Sequence, residues 1–424
     1  MLSPTTRYRH NLQDGLVLKS VVDERDVERV AEFNGVIHDA GVADMARELI
    51  LNHPDTRPEH WLYVEDKDTS QVVSSLCLIP WEWRYEDVEL RAGEVGLVGT
   101  LEPYRHRGLV RAQFARHAEL LREGNYDLSH IQGIPYFYRQ FGYAYALPLE
   151  GGWRVDLHLV PQPKDGHPPG YSFRQATVGD LPTLIRLYHE AARDLSISAV
   201  RDEGKWRYLL GPSTRTDMTA ETWLVLGADG QPAGYIRIPE HGFGEGLNVG
   251  EVSRLSAGAA LAVLQQLKAW AVDRGKPYIL LNVPAKSTLV QTARHLGAHD
   301  AGTYAWQIHL PDVGRFLRKL GPILERRLVP SPYAGLTENL CLNLYHEAFE
   351  LRFEGGRLVA VEPLGFCDRG GIRVPPFLAA PLLLGWRSRE ELVHLHPDLS
   401  VHREWQHLVD ILFPVVDSFI YTVY

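Results

Sequence analysis

Residues 161–170, with the sequence PQPKDGHPPG, interrupt an otherwise regular succession of apolar strand and helix patterns. Prolines and glycines at this density resist regular structure, so the stretch predicts a linker. A chain of 424 residues exceeds one ordinary domain, and the linker separates a first segment, residues 1–160, from a second, residues 171–304. Residues 305–424 change in pattern and form a third segment.

The first two segments repeat a similar order of elements. Apolar spacing predicts helices in them at residues 26–38, 109–122, 181–195 and 259–273. Strand-like apolar stretches lie at residues 16–22, 61–64, 72–79, 95–100, 126–131, 223–226, 233–238 and 278–283. Their similar order suggests a duplicated mixed α/β unit. In the third segment a helix leads into a hairpin that turns at Gly355 and Gly356, which predicts a small α+β domain.

Composition excludes several classes of protein. The formal net charge of −9, from 44 basic and 53 acidic residues, gives no general attraction to nucleic acid. Cys77, Cys341 and Cys367 lie far apart, so neither a disulfide framework nor a cysteine-based zinc site is expected, and we predict no metal. The chain shows no signal-peptide pattern and no apolar run long enough to span a membrane, so we expect a cytoplasmic protein without a membrane partner.

The most informative stretch is a predicted strand, loop and helix. The strand at residues 95–100 leads into Tyr104-Arg105-His106-Arg107-Gly108-Leu109-Val110-Arg111, which opens an amphipathic helix. Unpaired amides and the helix dipole at such a helix start attract anions, and the three arginines add whole positive charges. Gly108 allows a phosphate to approach the backbone closely. The loop is therefore a candidate anion site in an otherwise acidic chain.

Together with Tyr138-Arg139-Gln140-Phe141-Gly142-Tyr143, this loop resembles GNAT acetyltransferases of the Eis (enhanced intracellular survival) type. The resemblance implies two tandem GNAT-like domains of mixed α/β fold and a C-terminal α+β domain like a sterol carrier. It also implies acetyl-CoA as cosubstrate. The residues it places at acetyl-CoA are Val98, Gly99, Thr100, Arg105, His106, Arg107, Gly108, Leu109, Val110 and Arg111.

Three features depart from that family's pattern. Glu102 and Pro103 are exchanged in order, which predicts a loop of preserved length with a shifted turn. Val110 replaces a glycine or alanine and crowds the diphosphate slightly. In the second segment, Arg254-Leu255-Ser256-Ala257-Gly258-Ala259 stands at the matching place with one arginine, so we expect this segment to have lost cofactor binding.

The resemblance also assigns catalytic roles. Tyr138 stands where the family has its general acid, with Tyr136 as a neighbour that could be confused with it. The family's base is the C-terminal carboxylate, here on Tyr424, and the aromatic tail before it suits a buried terminus. Val423 makes this pocket less acidic than in relatives that acetylate aminoglycosides, which disfavours such polycationic acceptors. Transfer is expected to be direct, because no cysteine lies near the motif.

Each assignment has a structural alternative. Tyr138 could be a packed core tyrosine, and the tail could dock without supplying a base. Phe33, Trp81 and Trp83 are candidates for binding the acceptor, although packing in the core or at an interface is an equal or stronger reading for them.

Two functions follow from the sequence. The leading hypothesis is an acetyl-CoA-dependent N-acetyltransferase acting on a small-molecule primary amine or a protein lysine. The alternative is a non-catalytic acyl-CoA or lipid-binding sensor that uses the sterol-carrier-like domain. The resemblance further implies a homo-oligomer, a hexamer.

Overall fold

The computed structural model describes residues 7–163, 170–242, 244–368 and 370–424. Residues 164–169 of the predicted linker lie outside this range, and residues 161–163 form no regular element. No helix among the described residues combines the length and apolar character that crossing a membrane requires. The elements are numbered below in chain order.

The first segment contains seven strands and three helices among its described residues. They are β1 (Arg9–Asn11), β2 (Leu16–Ser20), α1 (Glu24–Ile37), α2 (Ala40–Asn52), β3 (Trp61–Asp66), β4 (Val72–Tyr85), β5 (Val88–Thr100), α3 (Leu109–Glu123), β6 (Leu128–Ile131) and β7 (Ala144–Asp156). The side chain of Asp23 caps α1 by accepting a hydrogen bond from the Asp26 amide, 2.9 Å away. Strands β4 and β5 extend well beyond the predicted apolar runs as one long hairpin, and α2 and β7 were not predicted.

The second segment follows the predicted alternation with additional short elements. They are β8 (Tyr171–Gln175), α4 (Leu181–Ala192), β9 (Ile197–Ala199), α5 (Glu203–Leu210), β10 (Ala220–Gly227), β11 (Pro232–Pro239), β12 (Leu247–Val249), β13 (Glu251–Val252), α6 (Ala257–Asp273), β14 (Tyr278–Leu281), α7 (Thr288–His295) and β15 (His299–His309). The boundary predicted between residues 304 and 305 lies inside β15.

The third segment contributes α8 (Val313–Leu328), β16 (Glu338–Asn343), β17 (Ala348–Glu354), β18 (Arg357–Gly365), β19 (Ile372–Arg373), α9 (Pro376–Leu383), α10 (Arg389–Leu395), β20 (Ser400–Val401) and α11 (Arg403–Leu412). The five strands described in this segment form a sheet in the order β18-β17-β16-β19-β20. Apolar side chains of α8 and of this sheet share one core with α1, α2 and β4. The third segment is therefore packed against the first, and the prediction that it resembles a sterol carrier stays a prediction.

The first two segments interlock through their strands. The main sheet runs β1-β2-β3-β4-β5-β6-β15-β7-β14-β12, with β9 paired to β4, while β13-β11-β10-β8 forms a second sheet. Strand β15 of the second segment lies between β6 and β7 of the first, antiparallel to both. The mixed α/β fold predicted from the sequence is confirmed, and the two units share a continuous sheet.

Candidate active site

Strands β5 and β6 open a gap in the middle of the main sheet. They pair in parallel only at Ala92–Glu94 with Leu128–His130. Beyond this point Leu97 adopts φ +49°, and the register between β4 and β5 shifts between Ser75 and Cys77. A bulge of this kind bends a strand, so the end of β5, with Val98, Gly99 and Thr100, leaves β6 and stays on β4.

The loop after β5 is held by a short 3-10 turn. Pro103 lies in this turn, Glu102–Tyr104, and the Tyr104 hydroxyl donates to Asp66 at 2.7 Å. The exchanged Glu102 and Pro103 are thus accommodated inside the turn. Gly108 ends the loop at φ +76° with no side-chain cap on α3, and a Cβ built there meets no atom within 4 Å. The start of α3 is therefore open on this side.

The three arginines of the loop are exposed to solvent, and Arg107 interacts electrostatically with Asp66. Arg105 reaches only the Thr100 carbonyl at 3.5 Å, Arg107 lies over the Tyr104 ring, and Arg111 donates to the Gln140 amide oxygen at 3.1 Å. Within the described part of the chain, none of these guanidinium groups forms a salt bridge with a carboxylate. Their positive charge is therefore available to an anion at the start of α3.

Tyr138 is buried on the α3 side of the gap. It lies in a 3-10 turn, Phe137–Phe141, and packs near the rings of Phe114 and Tyr143. Burial raises the pKa of the Tyr138 hydroxyl to about 12. A Cβ on Gly133 would come within 2.0 Å of the Tyr138 ring, so glycine at this position makes room for it.

Tyr136 differs from Tyr138 in exposure, backbone conformation and ring contacts. It is 74% exposed, adopts φ +70° and lies under the guanidinium of Arg139. Because Tyr136 is exposed and Tyr138 is buried, Tyr138 is the better candidate for an acid shielded from water.

The C-terminal tail, residues 413–424 after α11, reaches the face of the same sheet that lies opposite to Tyr138. The Ser196 amide donates to the Asp417 carbonyl at 2.7 Å, and the Phe419 amide donates to the Ile197 carbonyl at 3.1 Å. Tyr424 is 4% exposed and packs edge-to-face on Trp81. The end of the chain is therefore buried, as its aromatic composition predicted.

Glu94, which the sequence analysis did not single out, receives the tail. Its carboxylate accepts hydrogen bonds from the Tyr424 hydroxyl at 2.8 Å and from the Trp81 indole at 3.0 Å. Burial raises the pKa of Glu94 to about 8, against the lowering effect of hydrogen bonds from Tyr424, Trp81 and Gln132. The only signal in the sequence was one acidic residue next to a strand predicted to begin at Val95.

Tyr138 and Tyr424 lie on opposite faces of the sheet. Tyr138 belongs to the core under α3, whereas Tyr424, Trp81 and Phe33 belong to the core under α1 and α2. The gap between β5 and β6 lies between these cores. A reacting group placed in it would have Tyr138 on one side and Tyr424 on the other.

The three residues predicted to bind the acceptor have different surroundings. Phe33 borders a cavity of about 250 Å³ with Leu101, and Trp81 borders another of about 360 Å³. Trp83 is fully buried and packs against the His130 ring, 4.6 Å away. Their role in binding stays a prediction. Among the described residues, no group of three metal-ligating side chains converges.

Comparison with protein families gives one match. Residues 51–146 match the model of the family described as acetyltransferase (GNAT) domain. This range includes the gap between β5 and β6, the arginine loop, α3 and Tyr138. A search of curated proteins finds no significant match to the chain.

Solved structures resemble nearly the whole chain. A protein of unknown function from Enterococcus faecalis V583, described as a probable N-acyltransferase, aligns with a TM-score of 0.71 and 13% identity over 96% of this chain and 100% of that one. A GCN5-related N-acetyltransferase from Anabaena variabilis gives 0.68 and 14% over 96% and 99%. Eis1 from Mycobacterium abscessus gives 0.64 and 16% over 96% and 100%. At these identities the similarity establishes a shared fold.

Proposed function

Because the match of residues 51–146 indicates an acetyltransferase, we propose that this chain transfers the acetyl group of acetyl-CoA directly to a primary amine. The observation that carries the proposal is the open start of α3, where Arg105, Arg107 and Arg111 are exposed beside the gap in the sheet and form no salt bridge among the described residues. A diphosphate would fit there, since it requires both positive charge and unhindered amides.

The acetyl-CoA site would use the residues predicted from the sequence. Leu109, Val110 and Arg111 would present backbone amides to the diphosphate, with His106, Gly108 and the arginines around it. Val98, Gly99 and Thr100 would lie along the acyl end, where a backbone amide can polarise the thioester carbonyl. When bound, acetyl-CoA supplies the activated acetyl group.

Tyr138 and Tyr424 would handle the protons from opposite sides of the gap. The carboxylate of Tyr424 takes the proton that the amine loses as its nitrogen bonds to the acetyl carbon. Tyr138 donates its proton to the sulfur as the carbon–sulfur bond breaks. A hydroxyl with a pKa of about 12 remains protonated at neutral pH, so it is available as an acid.

Glu94 has a supporting role in this scheme, because its hydrogen bond fixes the ring of Tyr424. Phe33 and Trp81, on the same side of the sheet, would contact the acceptor, which is a small-molecule amine or a protein lysine. By resemblance to the Eis type, we extend the proposal to a homo-oligomer, a hexamer, which light scattering on the purified protein would test.

The deciding experiment is an acetyl-CoA titration by calorimetry, followed by a thiol-release assay over a panel of amines. Binding at micromolar concentration with turnover on any amine supports the transferase. Binding without turnover on any amine favours the sensor alternative. Absence of binding would exclude both acetyl transfer and acyl-CoA sensing.

A further inference from the structure

The second α/β unit contains its own gap between parallel strands. Strands β12 and β14 pair in parallel at Leu247–Val249 with Ile279–Leu281. The chain then leaves β14, and β13 pairs with β11 instead. Between the diverging ends lies a cavity of about 820 Å³, bordered by Val252 and the start of α6 on one side and by Val283 on the other. This gap is the counterpart of the one between β5 and β6.

The C-terminal tail enters this second gap. Phe419 and Tyr421 border the cavity and are buried against the core of the second unit. The Tyr421 hydroxyl donates to the Val252 carbonyl at 3.3 Å, so a tail side chain satisfies a backbone acceptor at the end of the diverging strand. A segment of the chain itself therefore occupies the inner end of the gap.

The positive charges at its outer end are already neutralised. Arg254 forms a salt bridge with Asp194, and Lys286 forms one with Asp417 of the tail. In the first unit, by contrast, the loop arginines form no salt bridge among the described residues. Both gaps therefore lie beside parallel strands that diverge, but the basic side chains of the second gap are paired with carboxylates.

Arg201 connects β13, at the edge of this gap, to the tail. It is fully buried and donates from Nε to the Thr422 carbonyl at 2.8 Å. Its Nη1 and Nη2 donate to the two carboxylate oxygens of Glu251 at 2.6 and 2.7 Å. Glu251 belongs to β13 and also accepts from the Tyr235 hydroxyl. A bidentate ion pair of this kind fixes orientation as well as distance, so the Thr422 carbonyl is held two residues before Tyr424.

We propose that the gap of the second unit is the binding site for the chain's own tail, and that Arg201 is a positioning residue which acts through Thr422 to hold Tyr424 against Glu94 of the first unit. The second unit then serves the reaction by placing the proposed base. This inference rests on the proposed function for its catalytic consequence, while the docking of the tail can be measured without any activity.

The test uses the full-length Arg201→Lys variant. Lysine keeps a positive charge for Glu251 but has one nitrogen in place of the planar guanidinium, so it cannot reproduce the bidentate pairing with Glu251 together with the bond to Thr422. Arg327→Lys is the matched control, since Arg327 likewise donates to a carboxylate, Glu86, to a backbone carbonyl, Leu412, and lies over a tyrosine ring, but does not touch the tail. Tyr421→Phe is a milder variant that leaves every buried charge in place.

Two readouts separate positioning from general stability. Hydrogen exchange of the amides of residues 418–424 should be at least about tenfold faster in Arg201→Lys and faster in Tyr421→Phe, with Arg327→Lys like the wild type. On an amine that the wild type acetylates, kcat should fall at least about tenfold in Arg201→Lys while acetyl-CoA affinity stays within about twofold.

If the amides of residues 418–424 exchange at the wild-type rate in both Arg201→Lys and Tyr421→Phe, the second gap is not the docking site of the tail. Faster exchange with unchanged kcat would overturn the positioning role. If the wild type acetylates no amine, the proposed function fails, and faster exchange in Arg201→Lys would still support the second gap as the docking site of the tail.

Discussion

The hydroxyl of Tyr424 donates a hydrogen bond to the carboxylate of Glu94, 2.8 Å away and 330 residues earlier in the chain. Both groups are buried, and the indole of Trp81 donates to the same carboxylate oxygen. The tail of the chain is thereby fixed at the middle of the first unit's sheet, next to the gap that the proposed reaction requires.

Two acidic groups are candidates for the base, the C-terminal carboxylate of Tyr424 and the side chain of Glu94, and they predict different effects of substituting Tyr424. If the carboxylate of residue 424 is the base, Tyr424→Phe keeps that group and should lose no more than about tenfold in kcat, while deletion of Tyr424 should lose about 100-fold or more. Thiol-release kinetics at saturating acetyl-CoA would measure both. An equally severe loss in Tyr424→Phe and in Glu94→Gln would instead assign the proton to Glu94 through the phenol.

Glu94 should make the stability of the wild type fall with rising pH. Its pKa lies near 4.5 in the unfolded chain and about 8 when folded, so between these values only the folded protein holds the proton. Protonation of Glu94 therefore stabilises the folded protein fully below pH 4.5. This contribution, up to about 5 kcal/mol in the free energy of unfolding, is lost as the pH rises to about 8.

Glu94→Gln removes this titration. Urea unfolding of both proteins at pH 5 and pH 8.5 should show the variant gaining stability relative to the wild type at the higher pH. A difference between the two proteins that does not change with pH would contradict the raised pKa of Glu94.

Tyr138→Phe should lower kcat by about 100-fold or more, because it removes the proposed proton donor and leaves the packing of the ring in place. Acetyl-CoA affinity, measured by calorimetry, should stay within about twofold. Tyr136→Phe is the control. The ring of Tyr136 is exposed, so removing its hydroxyl should leave kcat near that of the wild type. Equal activity of the two variants would remove Tyr138 from the mechanism.

Replacing Arg105, Arg107 and Arg111 together by alanine should weaken acetyl-CoA binding at least about tenfold, which corresponds to ~1.4 kcal/mol. The loss should shrink as salt is raised, since these charges are exposed and screened. Calorimetry at two salt concentrations would measure it. Arg186→Ala, which removes an exposed arginine on α4 that pairs with Glu190, should bind as the wild type does; unchanged affinity in the triple variant would place the diphosphate elsewhere.

Local sequence was sufficient for the elements whose cause is local. The apolar spacing of α1 and α3, the density of prolines near residue 161 and the arginines around Gly108 act over a few residues, and the strand, loop and helix at the proposed diphosphate site follow from them. Helix α2 was missed although both local signals are present: Asp39 caps it, and an apolar stripe at helical spacing follows, formed by Val42, Met45, Ala46, Leu49 and Ile50.

Only the tertiary structure decided which distant parts of the chain are in contact. The insertion of β15 between β6 and β7 depends on strand pairing, which an alternating apolar pattern does not encode, because such a pattern fixes which face is buried but not which strand lies alongside. Glu94 gave little sign of its role in sequence, since its raised pKa arises from burial beneath Trp81 and Tyr424. The sequence by itself determined the mixed α/β pattern and the strand, loop and helix around the arginines, because local spacing encodes them. Only folding brought Glu94, Arg201 and the tail together, because their interactions join residues hundreds of positions apart.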